Sequence, residues 1–174
     1  LLYMLFWLPT FIWVVIHLSL MLSSEAFLQN AQGYLVTFLI GLIPCVAITG
    51  PFCAGATYVM RNWARDEHSF VWSDFWDAVK GNWKQALPVS LISGVLPLTV
   101  YLAWVFYGGM ASQSFIYMIP LCLVFMVASI WKLSEMLIYT LMVTYELSFL
   151  NLLRNAVLMT VAKIPLAILI KLIT

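Results

Sequence analysis

"GPFCAGATYVMRNWARDEHSFVWSDFWDAVKGNWKQ", residues 50–85, gathers eight of the chain's fifteen Asp, Glu, Lys and Arg residues and four of its eight tryptophans. Around it the chain is oil. Of its 174 residues 64% are hydrophobic and 9% charged, where a soluble domain carries roughly 25% charge. That contrast decides the fold class. The long apolar runs on either side are membrane-spanning segments, each needing about 20 apolar residues. In lipid every backbone N–H and C=O must be satisfied within the segment, so the spans are helices. The expectation is an all-α, polytopic membrane helix bundle, with about five spanning helices and one or two amphipathic interface helices. It forms a single transmembrane domain over residues 1–174.

Outward from the charged stretch, the apolar segments run over residues 1–22, 34–60, 86–107, 115–143 and 156–174. Each contains proline, which kinks a spanning helix without forbidding it. Both ends, "LLYMLFWLP" and "AILIKLIT", are apolar, and there is no initiator Met. The natural protein is expected to extend beyond each end, and residues 1–22 do not have the layout of a signal peptide. The breaks orient the bundle. Residues 61–85 carry Arg61, Arg65, Lys80 and Lys84, and residues 144–155 carry Arg154, whereas 23–33 and 108–114 hold no Lys or Arg. Basic residues favour the cytoplasmic side. Residues 61–85 and 144–155 are therefore expected inside as interface segments, and the other two breaks outside.

Within 72–87 the large apolar side chains are Trp72, Phe75, Trp76, Val79, Trp83 and Leu87, one stripe of a helix. Asp74, Asp77, Lys80, Asn82, Lys84 and Gln85 fill the other positions. Ser73 suits an N-cap, and acids near the start with lysines near the end match the helix dipole. The spacing predicts an amphipathic helix over 73–86 lying along the inner interface, with its indoles at headgroup depth. Pro88 marks the turn into the next span. Such a helix is either an elbow that anchors the bundle or a docking face for a second protein; its mixed charge suits protein contact. Residues 148–165 echo it weakly, with Phe149, Leu152 and Asn155 at the offsets of Trp76, Val79 and Asn82.

Inside the spans few residues carry polarity. Lys132 and Glu135 share a helix face and are either a snorkelling pair or an element of a transport path. His17 reads as a satisfied packing histidine, with a proton relay as the alternative. Thr49-Gly50-Pro51, with Ala54, Gly55 and Ala56, makes a small-residue patch for close helix crossing, Thr49 being able to bond a freed carbonyl. A substrate-binding break in the helix is the other reading. Cys45, Cys53 and Cys122 lie in apolar runs without metal-ligand spacing and read as buried small hydrophobes. No metal, cofactor or catalytic residue is expected. The sequence lacks HExxH and Gly-x-Ser-x-Gly motifs and shows no Asp/His cluster, so an enzyme is not expected. Net charge +1, without a basic stripe, excludes a nucleic-acid binder.

The stretch 43–85 resembles the YesL-like family of bacterial membrane proteins. The matching pieces are Pro44, Thr49-Gly50-Pro51, Ala54, Ala56, Tyr58-Val59, Arg61, Asp74-Phe75, Lys80, Asn82, Trp83 and Lys84. The resemblance implies a multi-pass protein of the bacterial cytoplasmic (inner) membrane. Its genes tend to lie beside carbohydrate ABC-transporter permeases, which implies an accessory role in oligosaccharide uptake. No catalytic residues are established for the family. The expected partners are the lipid bilayer and permease subunits. Docking is expected through Arg61, Trp72, Asp74, Phe75, Trp76, Lys80, Asn82, Trp83 and Lys84. A small stand-alone transporter or channel is the alternative.

Overall fold

A computed structural model describes residues 4, 6–23, 30–111, 113–165 and 168. Five α-helices follow one another: α1 Leu8–Ser23, α2 Ala31–Ala64, α3 Val71–Ala111, α4 Met118–Thr144 and α5 Phe149–Ala162, with a 3-10 turn Phe115–Tyr117 leading into α4. The described residues form no strand. Helices α2, α3 and the stretch Phe115–Thr144 are long and apolar enough to cross a bilayer, and α1 and α5 are shorter apolar helices. The fold is a helical membrane bundle. Of the expected span over 156–174, residues 156–162 belong to α5, while 166, 167 and 169–174 lie outside the described residues.

The bundle is organised by α2 and α3, which pack antiparallel. Gly94 lies against Ile43, Gly50 against Ala86 and Ser90, and Gly55 against Phe75 and Val79. The contact works because side chains are missing where backbones meet. A Cβ on Gly50 would lie 2.7 Å from the Ala86 carbonyl oxygen and would collide with the Ser90 side chain. Pro51 adds a second condition. It has no N–H, so the Ala47 carbonyl four residues earlier loses its intrahelical donor. The Ser90 hydroxyl, 1% exposed, donates to that oxygen from α3 at 2.8 Å. Thr49, expected to serve a freed carbonyl, donates instead to Val46 O at 2.7 Å.

One expectation is corrected here. The amphipathic stretch is not a separate ledge over 73–86 that ends at Pro88. Helix α3 runs without interruption from Val71 to Ala111, with Pro88 and Pro97 inside it. At 1.5 Å per residue it is about 60 Å long, roughly twice the thickness of a hydrocarbon slab. The reason is packing. Phe75 and Val79 are buried with Ala56 and Val59 of α2, so part of the apolar stripe seals a helical hairpin, while Trp72, Trp83 and Leu87 stay exposed. A proline costs the backbone one donor, which a helix flanked by neighbours tolerates. Ser73 is not the N-cap, since the helix begins at Val71; Ser69 Oγ reaches Asp74 Oδ2 at 2.8 Å beside that start.

Helices α2, α3, α4 and α5 meet in one core, built from Ala54, Ala86, Val89, Ile138, Met142, Val143, Leu152 and Ala156 among others. Residues Leu152, Ala156 and Thr160 of α5 are four apart and fully buried, the spacing of a stripe facing the bundle. The short connection 145–148 folds α5 back against α4, the arrangement short links impose on neighbouring helices. Most of the expected interface segment 144–155 is therefore a packed helix. On α1, Trp13 Nε1 donates to Phe38 O of α2 at 3.1 Å.

Gly81 contrasts with Gly50. A Cβ there would meet nothing within 4 Å. Gly81→Ala is expected to raise stability by roughly 0.5–1 kcal/mol, because alanine loses less backbone entropy in a helix. Thermal unfolding in detergent reads this; a lowered midpoint would mean that the position is not open.

Candidate functional site

The charged stretch folds into one end of the bundle. Helix α2 stops there in a Schellman turn: Glu67 N–H donates to Asn62 O at 3.0 Å and Asp66 N–H to Trp63 O at 3.2 Å. Asp66 takes φ 56°, the left-handed value this cap requires and one that aspartate tolerates better than most residues. The chain then enters α3, with Asp74 in its first turn.

Two long-range contacts bring the connection after α4 to the same end. Arg61 Nη1 donates to Val143 O at 2.7 Å, a carbonyl in the last turn of α4 that has no intrahelical donor. A cation there also faces the negative end of the helix dipole. The guanidinium lies 5.1 Å from the Tyr58 ring centroid and its Nη2 is 3.5 Å from Glu67 Oε2. Gln85 Nε2 donates to Leu147 O at 3.0 Å. The two basic breaks of the sequence thus share one end of the molecule.

Between these contacts lies an open groove of about 870 Å³. One wall is α3, with Asp74, Asp77, Ala78, Gly81, Asn82, Lys84 and Gln85. The other is residues 142–148, including Tyr145 and Glu146, and α2 contributes Tyr58. Polar and charged groups dominate it. Among the described residues, no group of three His, Cys, Asp or Glu converges as a metal site.

The sequence-derived site residues separate into distinct places. Asp74, Asn82 and Lys84 line the groove, and Asn82 Nδ2 donates to Ala78 O at 2.9 Å. Arg61 faces inward to the end of α4. Phe75 is buried, and Trp76 packs edge-on against Phe52 and Phe6, at ring separations of 6.0 and 6.1 Å. Trp72 and Trp83 are exposed, at 62% and 50%, and Lys80 is exposed. Pro44, Thr49, Gly50 and Pro51 lie within α2, away from the groove; Thr49 and Gly50 are buried near the helix crossing, and Pro44 is exposed. Lys132 and Glu135 close on each other at 2.9 Å. His17 is buried between Trp13 and Phe38, with ring centroids at 4.2 and 5.5 Å. It is packed as expected, but its Nδ1 has no hydrogen-bond partner among the described residues, so the expectation of a satisfied histidine is not met at that atom. Reasoning from sequence missed Ser90 and the groove's far wall. Glu146 and Tyr145 carry no local signal that places them opposite α3.

The helices, the lipid-length spans and the polar groove at one end define an integral membrane protein. A family model described as "Protein of unknown function, DUF624" matches residues 2–104, more than half of the chain, and the chain belongs to that family. The match covers α1, α2 and most of α3, and so one wall of the groove. No curated protein and no solved structure matches the chain.

Proposed function

We propose that the protein is a non-enzymatic, multi-pass accessory subunit of the bacterial cytoplasmic membrane. It docks onto a permease of a carbohydrate ABC uptake system through the charged end of the α2–α3 hairpin, which faces the cytoplasm. The observation that carries this reading is the exposed pair Trp72 and Trp83. Eleven residues apart on a helix, they project from the same face. Exposed tryptophans held on a rigid hairpin are the side chains that dominate binding energy at interfaces. The resemblance to YesL-like proteins supports the partner class, and the gathering of basic breaks at this end supports the orientation.

The same features weigh against a stand-alone transporter. Lys132 and Glu135 neutralise each other, and the buried hydroxyls of Ser90, Ser134 and Thr160 donate to backbone carbonyls. A conduction path needs such groups free to meet a solute.

The test is affinity purification from native membranes. Trp72→Ala with Trp83→Ala is expected to cut recovery of permease subunits at least about tenfold, with an unchanged melting midpoint. Trp76 is unsuitable for this test because it packs inside the aromatic cluster. Normal recovery with the double variant removes the docking claim. Solute flux through proteoliposomes of the pure protein would replace it with the transporter reading.

A further inference from the structure

The groove extends the reading above to the partner's chemistry, and rests on it. We propose that the groove seats a short basic helix of the partner protein, with Lys or Arg side chains directed at Asp77 and Glu146. The charge balance points this way. Asp74, Asp77 and Glu146 line the space and Lys84 is the one cation among its lining residues. Asp77 and Glu146 form no ion pair within the described residues, and Asp74 accepts the Ser69 hydroxyl. The carboxylates stand on two elements across a concavity, so cations inserted there face acidic groups on both walls.

Shape points the same way. The α3 wall from Asp74 to Gln85 spans about 17 Å at helical rise, or about three turns, so the site is elongated. The opposite wall is held before any partner arrives, by Gln85 on Leu147 O and Arg61 on Val143 O. A preformed wall lowers the cost of binding. The positive-inside rule names the occupant: cytoplasmic segments of membrane proteins are rich in Lys and Arg, so an acidic groove at that face complements its neighbours there. The exposed Tyr145 ring adds a surface on which a cation can rest.

The test uses the full chain in detergent and two dye-labelled amphipathic peptides three to four turns long, identical except for Lys in one and Glu in the other. Fluorescence anisotropy at about 50 and about 500 mM salt reads binding. The Lys peptide is expected to bind at low salt and the Glu peptide to fail. Asp77→Asn with Glu146→Gln, an exposed pair whose loss leaves the melting midpoint unchanged, is expected to weaken the Lys peptide about tenfold, as is high salt. Equal binding of both peptides, or an unaffected double variant, overturns the proposal. So does spermine displacing the Lys peptide at equal charge concentration, which would make this a polyamine site. Trp72→Ala with Trp83→Ala separates the two readings. Permease capture lost there with peptide affinity intact supports both surfaces independently. Absent peptide binding alongside normal capture by the unmodified chain overturns the groove alone.

Discussion

Gly50→Ala is expected to lower stability by about 3 kcal/mol. The added Cβ would sit 2.7 Å from the Ala86 carbonyl oxygen, and backbone cannot swing aside as a side-chain tip can. The helices must separate along a contact that runs from Gly94 to Gly55. Overpacking of this kind costs typically about 1–3 kcal/mol. Separation also breaks the bond from Ser90 to Ala47 O, for which no other donor exists in α2 because residue 51 is proline. A buried hydrogen bond of this sort contributes about 1 kcal/mol in a membrane protein. For a chain of this length each kcal/mol moves the midpoint by about 2–4 °C, so a fall of roughly 6–12 °C is expected in detergent. Ser90→Ala, which removes the bond and leaves the spacing, should fall by about a third as much. A Gly50→Ala protein that melts with the unsubstituted chain would show that α2 and α3 do not cross this closely.

Arg61→Ala is expected to cost about 2 kcal/mol and to loosen the end of α4. The guanidinium, with its side chain 19% exposed, is the donor seen on Val143 O. A charged hydrogen bond contributes about 1.5–3 kcal/mol. The lower part of that range applies, because Arg61 Nε is itself buried without a partner and leaves with the side chain. Arg61→Lys should not restore the loss: a single ammonium cannot serve Val143 O, lie over Tyr58 and approach Glu67 as a planar fork does. Hydrogen exchange in residues 140–144 should quicken in both variants, and the 145–148 connection should become a protease site. Protection equal to that of the unsubstituted protein in both would mean that Arg61 does not hold this end together.

Several of these features were legible before any tertiary contact. The stripe Trp72, Phe75, Trp76, Val79 identifies a helix, because helical period alone aligns those positions, but not which of them pack: Phe75 and Val79 are buried and Trp72 is exposed. The Lys132–Glu135 spacing implies the ion pair for the same reason. The small residues around Gly50 imply close crossing, since only they let backbones approach. What failed was inference from proline. Pro88 reads locally as a stop, yet the helix continues through it, because α2 packs alongside and only one backbone bond is lost. His17 shows a similar limit: its apolar surroundings predict burial, while the missing partner at Nδ1 depends on what α2 presents opposite.

By itself, then, the order of residues determined that this is a helical membrane protein, that long apolar helices occupy its middle, and that half of its indoles and most of its charges collect in residues 61–85. Those follow from local quantities: transfer of side chains into lipid, the closure of backbone bonds within a segment, and the helical repeat. Only the tertiary structure decided which helix supplies the donor for Ala47 O, that the amphipathic stretch belongs to a hairpin, and that residues 142–148 face α3 across a polar groove. Each of these depends on the register between helices distant in sequence. That register is set by the joint packing of glycines, serines and a half-buried arginine, and no single segment contains it.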